Sequence, residues 1–173
     1  YEHNRFARIP QLLKHLESGK DVAVVTDAGT PGVSDPAYKL IRSVIQVDVK
    51  VEPIPGPSAF LTALVASGLT PDRFLFVGFL PPQAARRKTL SDLASYEETL
   101  IFNENPTRVV ITLSDIATFL GNRPAVVGRE LTKVHEEIIR GTILELLSYF
   151  SLESPKGECV IMIGKDDPNV YFG

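Results

Sequence analysis

The sequence predicts an α/β fold, and three observations carry that prediction. Short, wholly apolar runs such as Val22–Val25 and Cys159–Ile163 read as strands buried on both faces. Stretches with apolar residues at helical spacing separate them. Loops rich in glycine and proline stand at the junctions, where the chain must turn sharply between elements.

The elements follow in order. Ile9, Leu12, Leu13 and Leu16 share one helical face, with Pro10 suited to the first helical position and Gly19 to the residue after the end. Val22–Val25 is the first expected strand. The loop Asp27–Ser34 follows, and Asp35 then caps a helix with Pro36 at its first position. That helix turns Leu40, Ile41, Val44 and Ile45 inward. A second strand is expected from about Val47 to Ile54, ending in the rigid turn Pro55-Gly56-Pro57. Ser58 caps an apolar helix that stops at Gly68, and Leu69–Arg73 reads as a linker. Phe74–Phe79 is a buried strand, and Leu80–Gln83 leads into a basic helix. Thr99–Phe102 is the next strand. Asn105 and Pro106 open a helix with Val109, Leu113, Ile116, Ala117 and Leu120 on one face and Gly121 at its end. Ala125–Gly128 and Glu137–Arg140 are short strands. Thr142 and Glu145 form a capping box for a further helix. Glu158–Ile163 is the last strand, and the polar tail from Asp166 is expected to fray.

The segment before the linker therefore holds only two expected strands. A two-stranded sheet buries too little surface to stand alone, so further strands are expected upstream of Tyr1. The expected organisation is an incomplete N-terminal α/β domain over residues 1–69, a C-terminal α/β domain over 74–165, and a tail over 166–173.

Composition narrows the function. Of 173 residues, 44% are hydrophobic and 23% charged, which excludes a disordered chain. The net charge of −3 gives no overall basic character, so any affinity for nucleic acid must be local. Cys159 is the single cysteine, and it sits in an apolar run. It reads as a buried thiol in a cytoplasmic protein. No apolar stretch approaches the roughly 20 residues of a membrane span.

Two loops stand out. Asp27-Ala-Gly-Thr-Pro-Gly-Val-Ser34 follows an expected strand, and strand carboxyl ends are where open α/β sheets bind ligands. It is neither a dinucleotide fingerprint nor a Walker loop. Pro55-Gly-Pro-Ser-Ala59 lies at a second such junction. A binding loop and a stiff turn both fit either segment. The run Arg129–Glu137 places glutamate, lysine and histidine, three kinds of proton-transfer group, after another strand, although a solvated loop also fits. Glu104 and Arg108 flank a helix start. Arg86, Arg87 and Lys88 form a local basic cluster that suits phosphates or simply solvent. No metal-ligand spacing appears, and no nucleophile elbow.

Taken in order, Asp27–Pro36, Pro55–Ala59, Gly78-Phe-Leu-Pro81, Arg86-Arg-Lys88, Thr99-Leu-Ile-Phe102, Arg129-Glu-Leu-Thr-Lys133 with His135-Glu-Glu137, Arg140-Gly-Thr142 and Lys156-Gly-Glu158 resemble the tetrapyrrole methylase superfamily. Within it they are similar to the branch that methylates small-subunit ribosomal RNA. The resemblance spans about Glu2 to Gly164. It implies a two-domain tetrapyrrole methylase-like fold with S-adenosylmethionine in the cleft between domains, and transfer of its methyl group to the ribose 2′-oxygen of a cytidine. It also implies ribosomal RNA or the small ribosomal subunit as partner, a homodimer, and no membrane.

The resemblance assigns residues too. Gly29, Thr30, Pro31 and Val33 would hold the cofactor, largely by backbone. Ser58 and Ala59 would line the same cleft, and Leu80, Phe102, Asn103 and Gly128 would close it. Arg86, Arg87 and Lys88 would meet RNA phosphates. The resemblance does not assign the chemistry; on their own side-chain chemistry Lys133, His135, Glu130 and Glu104 are equal candidates for a catalytic base or a stabilising cation. Asn103 and Thr107 depart from the family, which usually has an aromatic and a histidine there. Family members also begin with strand loops absent from this sequence, so the first domain is expected to be incomplete. Two other readings stay open: a corrin- or sirohaem-type methylase, and a non-catalytic fragment that keeps the fold.

Overall fold

A computed structural model describes residues 8–34 and 37–173. The chain divides into two units, residues 1–58 and 59–173.

In the N-terminal unit, α1 (Ile9–Glu17) and α2 (Ala37–Gln46) are the regular elements among the described residues. Pro10 stands in the first turn of α1, and Gly19 adopts a left-handed φ of +80° just past its end, as expected. The cap expected at Asp35 and Pro36 lies outside the described residues. Val44 is buried on α2. Neither expected strand forms. Val22–Val25 and the residues from Val49 to Ile54 belong to no hydrogen-bonded ladder among the described residues. Val47 and Asp48 instead turn off the end of α2, with Val47 and Val49 both donating to the Val44 carbonyl. The sequence favours extended backbone here, but a strand needs a neighbour to take its N–H and C=O groups.

The C-terminal unit is built on one mixed sheet. Its strands are β1 (Phe74–Phe79), β2 (Thr99–Glu104), β3 (Pro124–Arg129), β4 (Glu137–Thr142) and β5 (Cys159–Ile163), in the order β1-β2-β5-β3-β4. β1 and β2 are parallel; the other three pairs are antiparallel. β1, β2 and β3 therefore run in one direction, and their carboxyl ends meet at one edge of the sheet. The inner strands are buried along almost their whole length, which is why they read as unbroken apolar runs.

Helices α4 (Gln83–Leu93), α5 (Val109–Leu120) and α6 (Ile143–Leu152) cover one face. Leu90, Leu113, Ile116, Leu146 and Phe150 pack there on Leu100, Phe102, Val127 and Ile161. Each such side chain contributes about 1.5–3 kcal/mol by leaving water. Helix α3 (Ala59–Ser67) covers the other face, placing Ala63 and Leu64 with Ile101, Val126, Val160 and Met162. Because α3 packs on this sheet, the contacts divide the chain after Ser58 and not at Leu69–Arg73. The expected linker is itself docked: Leu69 is buried, and Thr99 Oγ1 donates to the Thr70 carbonyl at 2.8 Å.

The tail does not fray. Val170 and Phe172 pack against the α3-side core, and the Tyr171 hydroxyl donates to the Asn122 carbonyl and to Asp166. Polar composition hid two apolar anchors at alternate positions.

Two of the sequence motifs resolve into structural devices. Arg140 donates to the Ser67 carbonyl at 3.0 Å and to the Ala66 carbonyl, closing the C-terminus of α3. Thr142 and Glu145 form the expected capping box, with Glu145 Oε2 accepting from the Thr142 amide at 2.7 Å. Gly141 leaves room for that carboxylate, since a Cβ there would lie 2.9 Å from it.

Candidate functional site

The carboxyl ends of β1, β2 and β3 form the candidate site of the C-terminal unit. Phe79 stands opposite Asn103, Asn103 opposite Val160, Val160 opposite Gly128, and Gly128 opposite Ile138. Residues in register share a face, so these five make a row across the sheet on the α3 side. Phe79 is 59% exposed and Asn103 is half-buried. Of the expected cofactor residues, Asn103 and Gly128 thus come together. Leu80 and Phe102 turn their side chains into the opposite core and offer only backbone. The Leu80 carbonyl already accepts from Arg108 Nη2 at 2.9 Å.

In the N-terminal unit the two glycine- and proline-rich loops are joined. Thr30 Oγ1 donates to the Pro57 carbonyl at 2.7 Å. Gly29 and Gly32 have φ of +70° and +87°, and open space lies where a Cβ would stand on either. Their backbone is therefore approachable in a conformation that side-chain-bearing residues rarely adopt. Pro31, Gly32 and Val33 border an open depression of about 630 Å³ with Tyr38, Ile41 and Ile45. Ser58 ends this unit, while Ala59 opens α3 in the other. The open glycine backbone of these loops lets a ligand approach closely.

The four catalytic candidates differ sharply in surroundings. Glu104 is buried; one carboxylate oxygen accepts from Thr112 Oγ1 at 2.6 Å, the other from the Asn105 amide at 2.8 Å. Arg108 Nε lies 3.4 Å from it. This carboxylate braces the start of α5, through a Thr112 contact that local spacing does not announce. Lys133 Nζ sits 3.0 Å from Glu158 and 3.1 Å from Glu130. Hydrogen bonds to Glu158 and then Glu130 raise its pKa, so it remains a cation at neutral pH. The Glu158 amide, then Lys133, hold the Glu130 carboxyl below its ordinary range. His135 is exposed on the same loop, with no hydrogen bond among the described residues.

Beside this loop, Arg129 Nε donates to Glu137 at 2.5 Å and the Tyr149 hydroxyl donates to the other Glu137 oxygen at 2.8 Å. Tyr149 carried no signal in the sequence, since it reaches Glu137 only through the packing of α6 on β4.

The basic trio is divided. Arg86 is buried, donating from Nε to Asp115 at 2.7 Å with Nη2 at 2.6 Å, so it ties α4 to α5 and is withheld from any phosphate. Arg87 and Lys88 are exposed, each near a carboxylate: Asp115 at 3.4 Å and Asp92 at 2.6 Å. Charge alone could not reveal that Asp115, one helix further on, claims the first arginine. Among the described residues there is no group of side chains placed to hold a metal ion, and no helix is long and apolar enough to cross a membrane.

In the C-terminal unit the strand ends carry a half-buried amide, and in the N-terminal unit two glycine loops are hydrogen-bonded to each other; each is a candidate ligand-contacting surface on an α/β chain. The chain belongs to the tetrapyrrole (corrin/porphyrin) methylases, whose family profile matches residues 2–147. It is 45% identical over 167 residues to ribosomal RNA small subunit methyltransferase I of Synechocystis sp., covering 95% of this chain and 60% of that protein. The same-named protein of Micromonospora olivasterospora is 46% identical over 165 residues, covering 94% of this chain and 53% of the relative. The chain thus spans little more than half the length of these relatives. Among solved structures, the methyltransferase CobJ superposes with a TM-score of 0.68 at 20% identity, covering 91% of this chain and 70% of that one. Uroporphyrin-III C-methyl transferase from Thermus thermophilus, complexed with S-adenosyl homocysteine, gives 0.61 at 18% identity, covering 92% and 73%. These two establish the shared fold.

Proposed function

We propose that this chain works as an S-adenosylmethionine-dependent methyltransferase of small-subunit ribosomal RNA, methylating the ribose 2′-oxygen of a cytidine, in the cytoplasm and as a homodimer. The observation that carries this reading is the 44–46% identity, over nearly the whole chain, to relatives bearing the ribosomal RNA name. Likeness to corrin-type enzymes is far lower, at 18–20%.

S-adenosylmethionine supplies an activated methyl group. The protein's own task is then to hold two reactants in line, which is worth roughly 7–11 kcal/mol of barrier. In the N-terminal unit Gly29, Thr30, Pro31, Val33 and Ser58 on the joined loops are suited to contact the cofactor; in the C-terminal unit Ala59, Asn103, Gly128 and the backbone of Leu80 and Phe102 are. A ribose hydroxyl also needs a proton acceptor. Of the four candidates His135 is best suited, being exposed and without an ion pair among the described residues. Lys133, held as a cation, suits a phosphate or developing charge. Arg87 and Lys88 are the side chains of the basic cluster able to reach RNA.

Titration calorimetry with S-adenosylmethionine, followed by methyl transfer to small ribosomal subunits lacking the modification, tests the reading. Binding in the micromolar range and methylation of the ribose 2′-oxygen are expected. His135→Ala should lower kcat by about a hundredfold, the usual range for a lost acid–base group. A folded sample that binds no cofactor would sink the proposal.

A further inference from the structure

The motifs Arg129–Lys133 and Lys156–Glu158 lie far apart in sequence but meet as one structure. Glu130 has a φ of +48° and Thr132 of +66°, left-handed values that non-glycine residues keep only where their surroundings over-determine them. The surroundings do so here. The Glu130 amide donates to the Glu158 carbonyl at 3.0 Å, and the Glu158 amide returns a bond to Glu130 Oε1 at 3.0 Å. Lys133 Nζ adds a contact to each carboxylate. The Lys133 amide donates to the Glu130 carbonyl at 2.9 Å, and Glu136 accepts from the Thr132 amide. The Glu130 carboxylate itself fills the space where a side chain on Gly157 would stand: a Cβ there would lie 2.1 Å from Oε1, at a φ of +82°. One residue on, Leu131 packs over Gly128, its Cδ2 3.3 Å from where a Cβ would be. Gly128 belongs to the row at the strand ends.

We propose that Glu130 is a positioning residue: its carboxylate, seated in the notch left by Gly157, latches the loop after β3 onto the start of β5 and so holds Leu131 over Gly128 beside the cofactor row. The part concerning the cofactor rests on the methyltransferase reading. Oε1 accepts from both the Glu158 amide and Lys133, which commits that oxygen to the latch. The same bonds keep the carboxyl ionised and bound. Gly157 is on this view a requirement of the latch, which is why Lys-Gly-Glu and Arg-Glu-Leu-Thr-Lys go together.

The test uses Glu130→Ala, Glu130→Gln and Gly157→Ala in the full chain, with two readouts. Amide hydrogen exchange at Glu130 and Glu158 reads the latch directly. KM for S-adenosylmethionine and kcat on ribosomal subunits read its consequence. Glu130→Ala and Gly157→Ala should each speed exchange and raise KM by about tenfold, the worth of one lost hydrogen bond to a charged group, with kcat falling less. Glu130→Gln keeps an acceptor for the Glu158 amide and should recover most of that loss. The double variant should lose less than the two single losses together, because the notch has lost its occupant and only the left-handed φ of Gly157 still penalises alanine. Equal collapse of kcat in the Ala and Gln variants, with KM unchanged and the acid limb of the pH–rate profile abolished, would make Glu130 the base and overturn the proposal. Unaltered exchange in Glu130→Ala would overturn it as well. If the wild-type chain binds no cofactor the functional reading fails, and exchange alone still decides whether the latch exists.

Discussion

The two units are written in the same alphabet of valines, isoleucines and glycine turns, yet they end differently. In the C-terminal unit β2, β3 and β5 are buried on both faces, and every expected strand forms. In the N-terminal unit Val25 is 84% and Ile54 80% exposed, and neither expected strand forms among the described residues. The difference is not one of propensity. Val22–Val25 is as apolar as Ala125–Val127. It lies in partners: β3 has β4 on one side and β5 on the other, while the valine run has no ladder neighbour among the described residues. A strand is a relation between segments, and apolar sequence is only half of it.

Mutations sharpen the contrast. The largest effect belongs in the C-terminal core. Phe102→Ala, at a fully buried central position, should cost about 3–5 kcal/mol through lost burial and the cavity left behind. Chemical denaturation followed by circular dichroism measures it. A loss under about 1 kcal/mol would mean that the sheet is not the stable half. Next comes Arg86→Ala, which leaves the buried Asp115 with the exposed Arg87, 3.4 Å away, as its remaining ion-pair partner among the described residues. About 3 kcal/mol is expected, the low end for breaking a buried pair. An effect near zero would return Arg86 to the pool of surface cations available to RNA.

Cys159 gives a subtler test through pH. Burial pushes its thiol up to about 11. An acid whose pKa is higher folded than unfolded favours the folded state until the unfolded thiol ionises. Stability should therefore be full below the ordinary thiol pKa of about 8.5 and decline as pH rises toward 11. Cys159→Ala should remove that part of the alkaline slope, and thiol-reactive dyes should label the wild type only on unfolding. The smallest effect belongs to the other unit. Val25→Thr, at an exposed position outside any ladder, should change stability by less than about 0.5 kcal/mol. A large loss there would show that the valine run is structural after all and erase the comparison.

Much of the candidate site was legible, and the limits have physical causes. The Asp27–Ser34 and Pro55–Ser58 loops announced themselves by glycine and proline, and one hydrogen bond from Thr30 to Pro57 joins them. Asn103 and Gly128 were found through resemblance and do stand in one row. Leu80 and Phe102 carry the same motifs, but strand alternation sends their side chains to the opposite face. Arg86 looked like its neighbour Arg87, and only the crossing of α4 and α5 assigns it to Asp115. Glu104 looked like an acid near a helix start, and Thr112 and Asn105 make it a brace.

The sequence by itself determined what depends on neighbours along the chain. Helices α1 to α6, the strands of the C-terminal unit, the Thr142 capping box and the buried thiol all follow from local pattern, because period, caps and turn chemistry act within a few residues. The tertiary structure alone decided what depends on segments meeting across the fold. Among the described residues it gave Val22–Val25 no ladder, docked the tail through Val170 and Phe172, and drew α3 onto the C-terminal sheet. It also seated the Glu130 carboxylate in the notch at Gly157. Each of these hangs on which hydrogen-bonding group or apolar face finds a distant partner, and a single chain of letters does not encode distance.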